Sequence, residues 1–373
     1  MIKEKYNKRL LFFIFLSCLA LGVIFWQWSI TKTQIKETES VFAQTINEDQ
    51  KQKPPQQTVK AIYLTAYSAG NSKKIDSIID LIEKTELNAV VIDIKDYSGL
   101  VLYDTQVELA KKLGLKDIRI KNLPDLIQKL HEKNIYVIAR QTVFQDPVLA
   151  EKRPEWALKN KTGQIWRDRM NLAWVDMSNK YVWAYNLQIA QEATDLGFDE
   201  INFDYIRFPS DGNIKNIVYN TPKSKFEVMA DFFKFLNQEM TDAPVWLSVD
   251  LFGLTMEHTD DLGIGQRIVD AVDQVDYICP MMYPSHYFPG HLNFNNPADH
   301  PQEIIAHGLE KGLPWFENKR AKLRPWLQAF NMGAVYDAEK IRLQIDEVEK
   351  KSSDGWMLWN ASNNYTTAGL KLE

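Results

Sequence analysis

The chain has 373 residues and a formal net charge of −5, with 45% hydrophobic and 25% charged residues. These values are ordinary for a globular protein and exclude a disordered or fibrous class for most of the chain. Because no cluster of Lys and Arg occurs beyond the extreme N-terminus, the charge also argues against nucleic acid as a partner and favours a neutral ligand.

The N-terminus predicts a membrane anchor. Residues 1–9 carry four basic side chains, and the uncharged stretch 10–30 that follows is long enough to cross a bilayer as a helix. The positive flank places residues 1–9 in the cytoplasm and the rest of the chain on the extracytoplasmic side. The alternative is a cleaved signal peptide with its site near 41–43, which would make the protein secreted. We favour the uncleaved signal-anchor, because the apolar stretch is long and ends more than ten residues before that site.

Residues 31–58 are polar, contain two consecutive prolines and show no periodicity, which predicts a flexible, disordered spacer. From 59 to 373, short β-rich runs alternate with amphipathic segments, a pattern typical of repeated βα units. The predicted strands are 60–65, 89–94, 136–140, 200–204, 245–250, 277–280, 324–328 and 355–359. The predicted helices are 73–86, 123–133, 179–196, 224–240, 266–274, 301–311 and 337–351. Eight strands, without a glycine-rich turn after the first, predict a single α/β domain that folds as a (β/α)8 TIM barrel.

Carboxylates at the ends of the predicted strands indicate a site for sugar chemistry. The active site of such a barrel lies at the C-terminal ends of its strands, where Asp93, Asp204 and Asp250 occur. Glycosidic cleavage needs one carboxyl group as proton donor and a second as nucleophile or base. We predict Asp204 as nucleophile or base and Asp250 as donor, with Asp93 or Asp96 as the competing partner of Asp204. The structural alternative for each acid is a helix cap or an ion pair.

Further polar and aromatic residues at the same strand ends are candidates for binding sugar, because aromatic rings stack on flat sugar faces and arginines hold carboxylates ionised. The two arginines among them could equally form salt bridges at the barrel rim. The predicted substrate-binding residues are Asp96, Arg140, Asn202, Arg207, Tyr283, His286, Gln328, Trp359 and Asn360.

Other reaction classes lack their motifs. The six histidines form neither an H-x-H pair after the first strand nor an H-E-x-x-H helix, so we predict no metal. The G-x-S-x-G motif of serine hydrolases and the phosphate-binding loop of nucleotide enzymes are also absent, so we predict no cofactor.

Seven runs of sequence carry a resemblance to a known family. They are 61–65, 90–99, 138–147, 166–168, 197–209, 280–287 and 355–361. In combination, over 60–365, they resemble the glycosyl hydrolase domain family of unknown function that occurs in membrane-anchored or secreted bacterial proteins. The resemblance implies a sugar-hydrolase-like barrel but names no substrate. Our own prediction is a glycoside hydrolase that acts on a cell-envelope or extracellular polysaccharide. The alternative is a barrel that binds carbohydrate at the cell surface without cleaving it.

The fourth strand is also similar to the D-x-x-D-x-D-x-E strand of chitinases. Asp199 and Asp204 match the first and third acids of that motif, but Asn202 replaces the second acid and Ile206 replaces the proton-donating glutamate. The chitinase mechanism therefore does not carry over, and the donor is expected on another strand.

Overall fold

The structure, a computed structural model, describes residues 52–373, and eight parallel strands form its centre. In chain order they are β1 Val59–Leu64, β2 Ala89–Lys95, β3 Tyr136–Thr142, β4 Glu200–Asp204, β5 Trp246–Phe252, β6 Tyr277–Met281, β7 Trp326–Gln328 and β8 Gly355–Trp359. All eight predicted strands are confirmed, with ends that differ by at most two residues. Strand β2 is buried at every position, as expected where a parallel sheet is covered on both faces.

The sheet closes on itself. Strand β1 pairs in parallel with β2 and with β8, so that Ile62 lies beside Val90 on one side and Leu358 on the other. Every other pair of consecutive strands is also parallel. The predicted (β/α)8 barrel is therefore confirmed for the described residues. We call the C-terminal ends of its strands the mouth and the N-terminal ends the floor.

Helices cover the outside of the barrel. They are α1 Ser72–Ile82, α2 Leu123–His131, α3 Lys180–Leu196, α4 Lys225–Met240, α5 Ile268–Ala271, α6 Pro301–Gly312 and α7 Ala338–Lys351. The prediction for 266–274 was wrong in length, since α5 is a single turn. Its start is lost because Gln266 accepts a hydrogen bond from the backbone N–H of Phe252, and Arg267 has an extended backbone.

Shorter elements fill the connections between strands and helices. The short helices are Ala66–Ala69, Glu108–Leu113, Pro147–Lys152, Pro154–Trp156, Ile214–Asn216, Gly253–Met256, Pro284–His286, His291–Asn293, Pro297–Asp299 and Leu313–Phe316. The short strands are Val101–Tyr103, Lys116–Ile120, Lys159–Asn160, Ile217–Val218 and Lys322–Leu323. Lys159–Asn160 pairs with Ile217–Val218 and so joins the long loops that follow β3 and β4. This pairing fixes the two loops to each other.

A buried ion pair fills the floor. Arg324 donates from Nη1 to both carboxylate oxygens of Glu200, at 3.0 and 2.7 Å, and both side chains are fully buried. Tyr136 donates its hydroxyl to the same carboxylate at 3.1 Å, and the Arg324 guanidinium lies 3.7 Å from the ring centre of Tyr277. One cation thus pairs with one anion, and the side chains of Tyr136 and Tyr277 contact the pair.

The last residues of the predicted spacer contact the barrel. Lys53 forms a 2.8 Å ion pair with Asp276, and the carbonyl of Pro54 accepts a hydrogen bond from the Trp246 indole at 3.0 Å. The predicted transmembrane segment 10–30 lies outside the described residues. Within 52–373, none of the helices combines the length and the apolar character that a bilayer crossing requires.

Candidate active site

Arg140 organises the polar groups at the mouth. Its Nη1 donates to Asp93 at 2.5 Å, its Nη2 donates to Asp204, and its Nε lies 3.7 Å from Asp250. The four side chains come from the ends of β2 to β5, and all are buried. Burial opposes the charge of Arg140, but Asp93 and Asp204 outweigh it and raise the pKa of the guanidinium. The result is a single cation that holds three carboxyl groups around its edge.

Asp250 lies in surroundings that favour its protonated form. Its Oδ1 accepts hydrogen bonds from Asn202 Nδ2 at 2.9 Å and Trp326 Nε1 at 2.8 Å. Burial, followed by the nearby charge of Asp204, raises the pKa of Asp250 well above its ordinary value, and Arg140 offsets only part of this. Asn202, predicted to bind substrate, therefore positions Asp250 in this structure.

Asp204 has different neighbours. One carboxylate oxygen accepts from Arg140, and the other accepts from the backbone N–H of Tyr205 at 2.5 Å. Tyr205 makes this contact with a left-handed backbone, at φ +52°, which non-glycine residues adopt at a cost. Hydrogen bonds from a cation and from a backbone N–H both stabilise the charged form of a carboxylate. Asp204 and Asp250 thus differ in their hydrogen-bond donors, which are a cation and a backbone N–H for Asp204 and an amide and an indole for Asp250.

Asp93 is separated from the open cavity. It binds Arg140 with one oxygen and accepts a short hydrogen bond from the Tyr63 hydroxyl with the other. It does not line the pocket at the mouth, whereas Asp204 and Asp250 do. The geometry therefore favours Asp250 over Asp93 as the partner of Asp204.

The pocket at the mouth has a volume of about 410 Å³. Its lining residues are Arg140, Asp204, Tyr205, Arg207, Asp250, Phe252, Gly253, Leu254, Met281, Tyr283, His286, Tyr287 and Trp359. Trp359 stacks on Tyr63, with ring centres 3.8 Å apart, and meets Trp326 edge to face at 5.5 Å. Burial lowers the pKa of His286. The pocket thus combines two carboxyl groups with a largely aromatic wall.

A second pocket, of about 330 Å³, adjoins the first and shares Tyr205 and Arg207 with it. Its lining residues are Tyr97, Gln145, Asp168, Met170, Leu172, Trp174, Tyr205, Arg207, Ser210 and Asp211. Most of these belong to the loops 141–178 and 208–222, which extend the cleft away from the barrel axis.

Besides Asn202, which positions Asp250, three predicted substrate-binding residues do not line either pocket. Asp96 accepts from the backbone N–H of Ser98 at 2.9 Å and so stabilises its own turn. Gln328 accepts from the N–H of Ser285 and donates to the carbonyl of Phe330, both at 3.0 Å. Asn360 donates to the carbonyls of Ala329 and Asn364. In this structure all three hold loops in place.

Several site residues lie outside the predicted set. Tyr205 and Phe252 line the pocket, while Tyr63 and Trp326 bond the carboxyl groups of Asp93 and Asp250. The alternation of side chains along β1 places Tyr63 on the inner face with Ala61, and this signal could have identified it. Nothing in the sequence separates Phe252 from an ordinary core residue.

Glu257 is a further buried acid, near Tyr287 and the first pocket. Its Oε2 lies 3.3 Å from His291 Nε2 and 3.5 Å from His307 Nε2, and its side chain is 7% exposed. Burial raises the pKa of Glu257 to about 7. Within the described part of the chain, no three His, Cys, Asp or Glu side chains are arranged to hold a metal ion.

Known proteins resemble the chain in sequence and in fold. A family model described as "Putative glycosyl hydrolase domain" matches residues 61–365. A hypothetical protein from Ruminiclostridium thermocellum is 38% identical; the match covers 54% of this chain and 98% of that protein, with a TM-score of 0.48. No curated protein matches the chain.

Two glycoside hydrolase structures share the fold. The glycoside hydrolase domain of PgaB (BpsB) from Bordetella bronchiseptica is 12% identical, with a TM-score of 0.57 and coverage of 82% of this chain and 94% of that one. An alpha-galactosidase from Thermus thermophilus is 11% identical, with a TM-score of 0.51 and coverage of 84% and 60%. Such low identities establish the fold alone. The family match, in contrast, spans nearly the whole barrel, and the chain therefore belongs to this glycosyl hydrolase domain family.

Proposed function

We propose that the protein is a glycoside hydrolase that cleaves a cell-envelope or extracellular polysaccharide, with Asp204 as nucleophile or base and Asp250 as proton donor. The observation that carries the proposal is the contrast between two carboxyl groups in one aromatic-lined pocket. Asp204 accepts from a cation and a backbone N–H, whereas burial raises the pKa of Asp250, and a carboxyl group with a raised pKa is suited to donate a proton. The family match and the fold of the two glycoside hydrolases support the same reaction class.

Asp250 supplies the proton in this mechanism. Its Oδ1 is occupied by Asn202 and Trp326, which leaves Oδ2 as the oxygen to carry the proton toward the pocket. Transfer of that proton to the glycosidic oxygen makes the oxygen a neutral alcohol leaving group as its bond to the anomeric carbon breaks. The raised pKa keeps Asp250 protonated at pH values where an exposed aspartate is ionised.

Asp204 acts on the opposite side of the breaking bond. As an ionised carboxylate it either attacks the anomeric carbon or removes a proton from an attacking water. Arg140 keeps the negative charge in place before the sugar binds, and the Trp359 side chain, which lines the same pocket, contacts the sugar. Positive charge that develops on the sugar ring is stabilised by the same carboxylate.

The test is hydrolysis by the full-length protein on a panel of envelope and biofilm polysaccharides, with new reducing ends as the readout. Wild type is compared with Asp204→Asn and Asp250→Asn, and with Asp80→Asn as a control at an exposed helix position. We expect cleavage by wild type and the control and a rate lower by about 10²- to 10⁴-fold in the two site variants. Cleavage that survives both site substitutions at the wild-type rate would show that the acid pair is wrongly assigned.

A carbohydrate-binding barrel without turnover is the second candidate. The observation that favours it is that Arg140 bonds two of the three carboxyl groups directly, a pattern that ion pairs of purely structural role also produce. It predicts measurable glycan binding by wild type without any new reducing ends, and binding that persists in Asp204→Asn and Asp250→Asn.

We also propose that residues 10–30 anchor the protein in the cell membrane with the barrel on the extracytoplasmic side. The apolar stretch and its basic flank support this arrangement. Protease added to intact spheroplasts is expected to degrade the barrel, while a membrane fraction retains the protein after a high-salt wash. Full protection from protease, or release of the protein into the medium, would contradict the anchor.

A further inference from the structure

Arg207 stands between the two pockets and lines both of them. Its guanidinium carbon lies 5.0 Å from the ring centre of Trp174, 5.3 Å from that of Tyr205 and 4.9 Å from that of Phe252. A substrate that extends from the first pocket into the second must therefore pass this cation. Aromatic rings, rather than carboxylates, are its immediate neighbours.

The hydrogen bonds of Arg207 leave part of its donor capacity unused. Nη1 donates to the carbonyl of Phe208 at 3.1 Å and to Ser210 Oγ at 3.3 Å. Within residues 52–373, Arg207 makes no ion pair, and neither its Nη2 nor its Nε donates a hydrogen bond. Burial lowers the pKa of Arg207, the reverse of the direction at Arg140. Arg207 is half-buried, and a cation that is partly removed from water without a charged partner is unfavourable, so a bound anion would offset part of that cost.

The acidic residues near Arg207 are directed elsewhere. Asp168 accepts from the backbone N–H groups of Met170 and Leu172, both at 2.9 Å, and from the Trp174 indole at 3.0 Å. Asp204 bonds Arg140. Asp211 accepts a 3.3 Å hydrogen bond from the N–H of residue 169. Each of these carboxylates has a donor other than Arg207, so none of them neutralises it by contact.

We propose that the substrate is an acidic glycan and that Arg207 binds its negatively charged substituent at the junction of the two pockets. This inference rests on the proposed glycoside hydrolase function and names the class of its substrate. A guanidinium presents a planar fork of N–H donors that matches a carboxylate or a phosphate in two parallel hydrogen bonds. The aromatic surroundings limit the contact of this half-buried side chain with water and so strengthen that attraction. The net charge of the whole chain favoured a neutral ligand, but this local charge points to an anion.

The first experiment compares acidic polysaccharides with the same polymers after chemical reduction of their carboxyl groups. Binding to full-length wild type is measured at fixed ionic strength, together with Arg207→Gln, Arg207→Lys and a control, Arg119→Gln. Arg119 is an exposed arginine that is paired with Asp117 and lines neither pocket. We expect wild type and the control to bind an acidic polymer about 10-fold or more tightly than its reduced form.

The preference is expected to vanish in Arg207→Gln and to weaken in Arg207→Lys, because an ammonium group cannot form the paired hydrogen bonds. Equal binding of both polymer forms by wild type excludes a carboxylate, and together with no response to the phosphate ester tested below it overturns the proposal without reference to any variant. A preference that persists in a folded Arg207→Gln, or tighter binding of the reduced form, also overturns it.

Small probes identify the anion. Trp174 lies beside Arg207, so its fluorescence is expected to respond to glucuronate or to glucose 6-phosphate but not to glucose. A stronger response to glucuronate assigns a carboxylate, and a stronger response to the phosphate ester assigns a phosphate. An equal response to glucose overturns the anion assignment.

New reducing ends measured on the same polymers separate the two proposals. Binding with an acidic preference but without cleavage contradicts the hydrolase function and supports the assignment of Arg207. Cleavage without any preference contradicts the assignment and supports the hydrolase.

Discussion

The mouth and the floor of the barrel each contain a buried arginine, but the two are balanced differently. At the floor, Arg324 meets the single carboxylate of Glu200, and both are sealed from water. At the mouth, Arg140 meets three carboxyl groups, two of which line an open pocket. A balanced, enclosed pair is a structural element of the core. When three carboxyl groups surround one cation, at least one of them either binds a proton or remains charged until a ligand binds. Carboxyl groups of this kind are available for catalysis.

The largest effect is expected from Asp204→Asn. Cleavage should fall by about 10²- to 10⁴-fold, because the nucleophile or base is lost. The free energy of unfolding should change less than in the floor variant described next, because Arg140 keeps Asp93 as its partner. Initial rates of cleavage check the first expectation, and denaturant unfolding of the same preparation checks the second. A variant that loses stability as severely as the floor variant would break the distinction between mouth and floor.

Arg324→Met is expected to cost about 3–5 kcal/mol of unfolding free energy, because Glu200 is left charged and buried without its partner. The rate of cleavage by the folded fraction should stay at the wild-type value. The double variant Glu200→Met with Arg324→Met should recover most of the lost stability, since no charge remains unpaired. A double variant as unstable as the single one would show that the ion pair is not the cause.

Trp359→Ala tests whether a tryptophan at the mouth contributes to activity while one at the floor contributes only to stability. We expect kcat/KM to fall by about 3- to 10-fold, because the ring face at the pocket and its stack on Tyr63 are lost. Trp246→Ala, a partly buried tryptophan at the floor, is the matched control and should lower stability without changing kcat/KM. A loss of activity in the control would mean that stability, not contact with sugar, explains the effect at Trp359.

The smallest expected effect is on the pH dependence of stability. The pKa of Glu257, about 7, lies above the ordinary value of a glutamate, so the folded state holds this proton more tightly than the unfolded chain does. Its contribution to stability is complete below about pH 4.5 and is lost as the pH rises through 7. Glu257→Gln should therefore gain melting temperature relative to wild type between pH 4.5 and 8. A difference between the two melting temperatures that does not vary with pH would contradict this sign.

Most of the fold could be predicted from the sequence because buried parallel strands are continuous apolar runs that end in polar residues. The run at 89–94 is an example, since it is apolar up to Asp93 at the mouth. The length of α5 could not be predicted, because the side chain of Gln266 bonds a backbone group of β5 that is 14 residues away in sequence.

The site could be predicted only in part. A carboxylate near the C-terminal end of a barrel strand, on the inward face, lies at the mouth. The positions of Asp204 and Asp250 in the sequence were therefore enough to predict them. The side chains of Gln328 and Asn360 carry amides that match backbone groups as well as they match sugar hydroxyls. Sequence does not reveal which of these partners is nearer, and in this structure both bond the backbone.

Closure of the barrel sets a condition on how the chain folds. The seam between β1 and β8 joins Ile62 to Leu358, and Asn363 bonds the carbonyl of Tyr63 across a separation of 300 residues. Contacts between such distant segments form slowly, because a long loop must be ordered before they contribute. Until the last strand is available, β1 and β7 are open sheet edges that can pair with other chains. Truncation of the C-terminus is therefore expected to produce aggregation during refolding rather than a smaller folded protein.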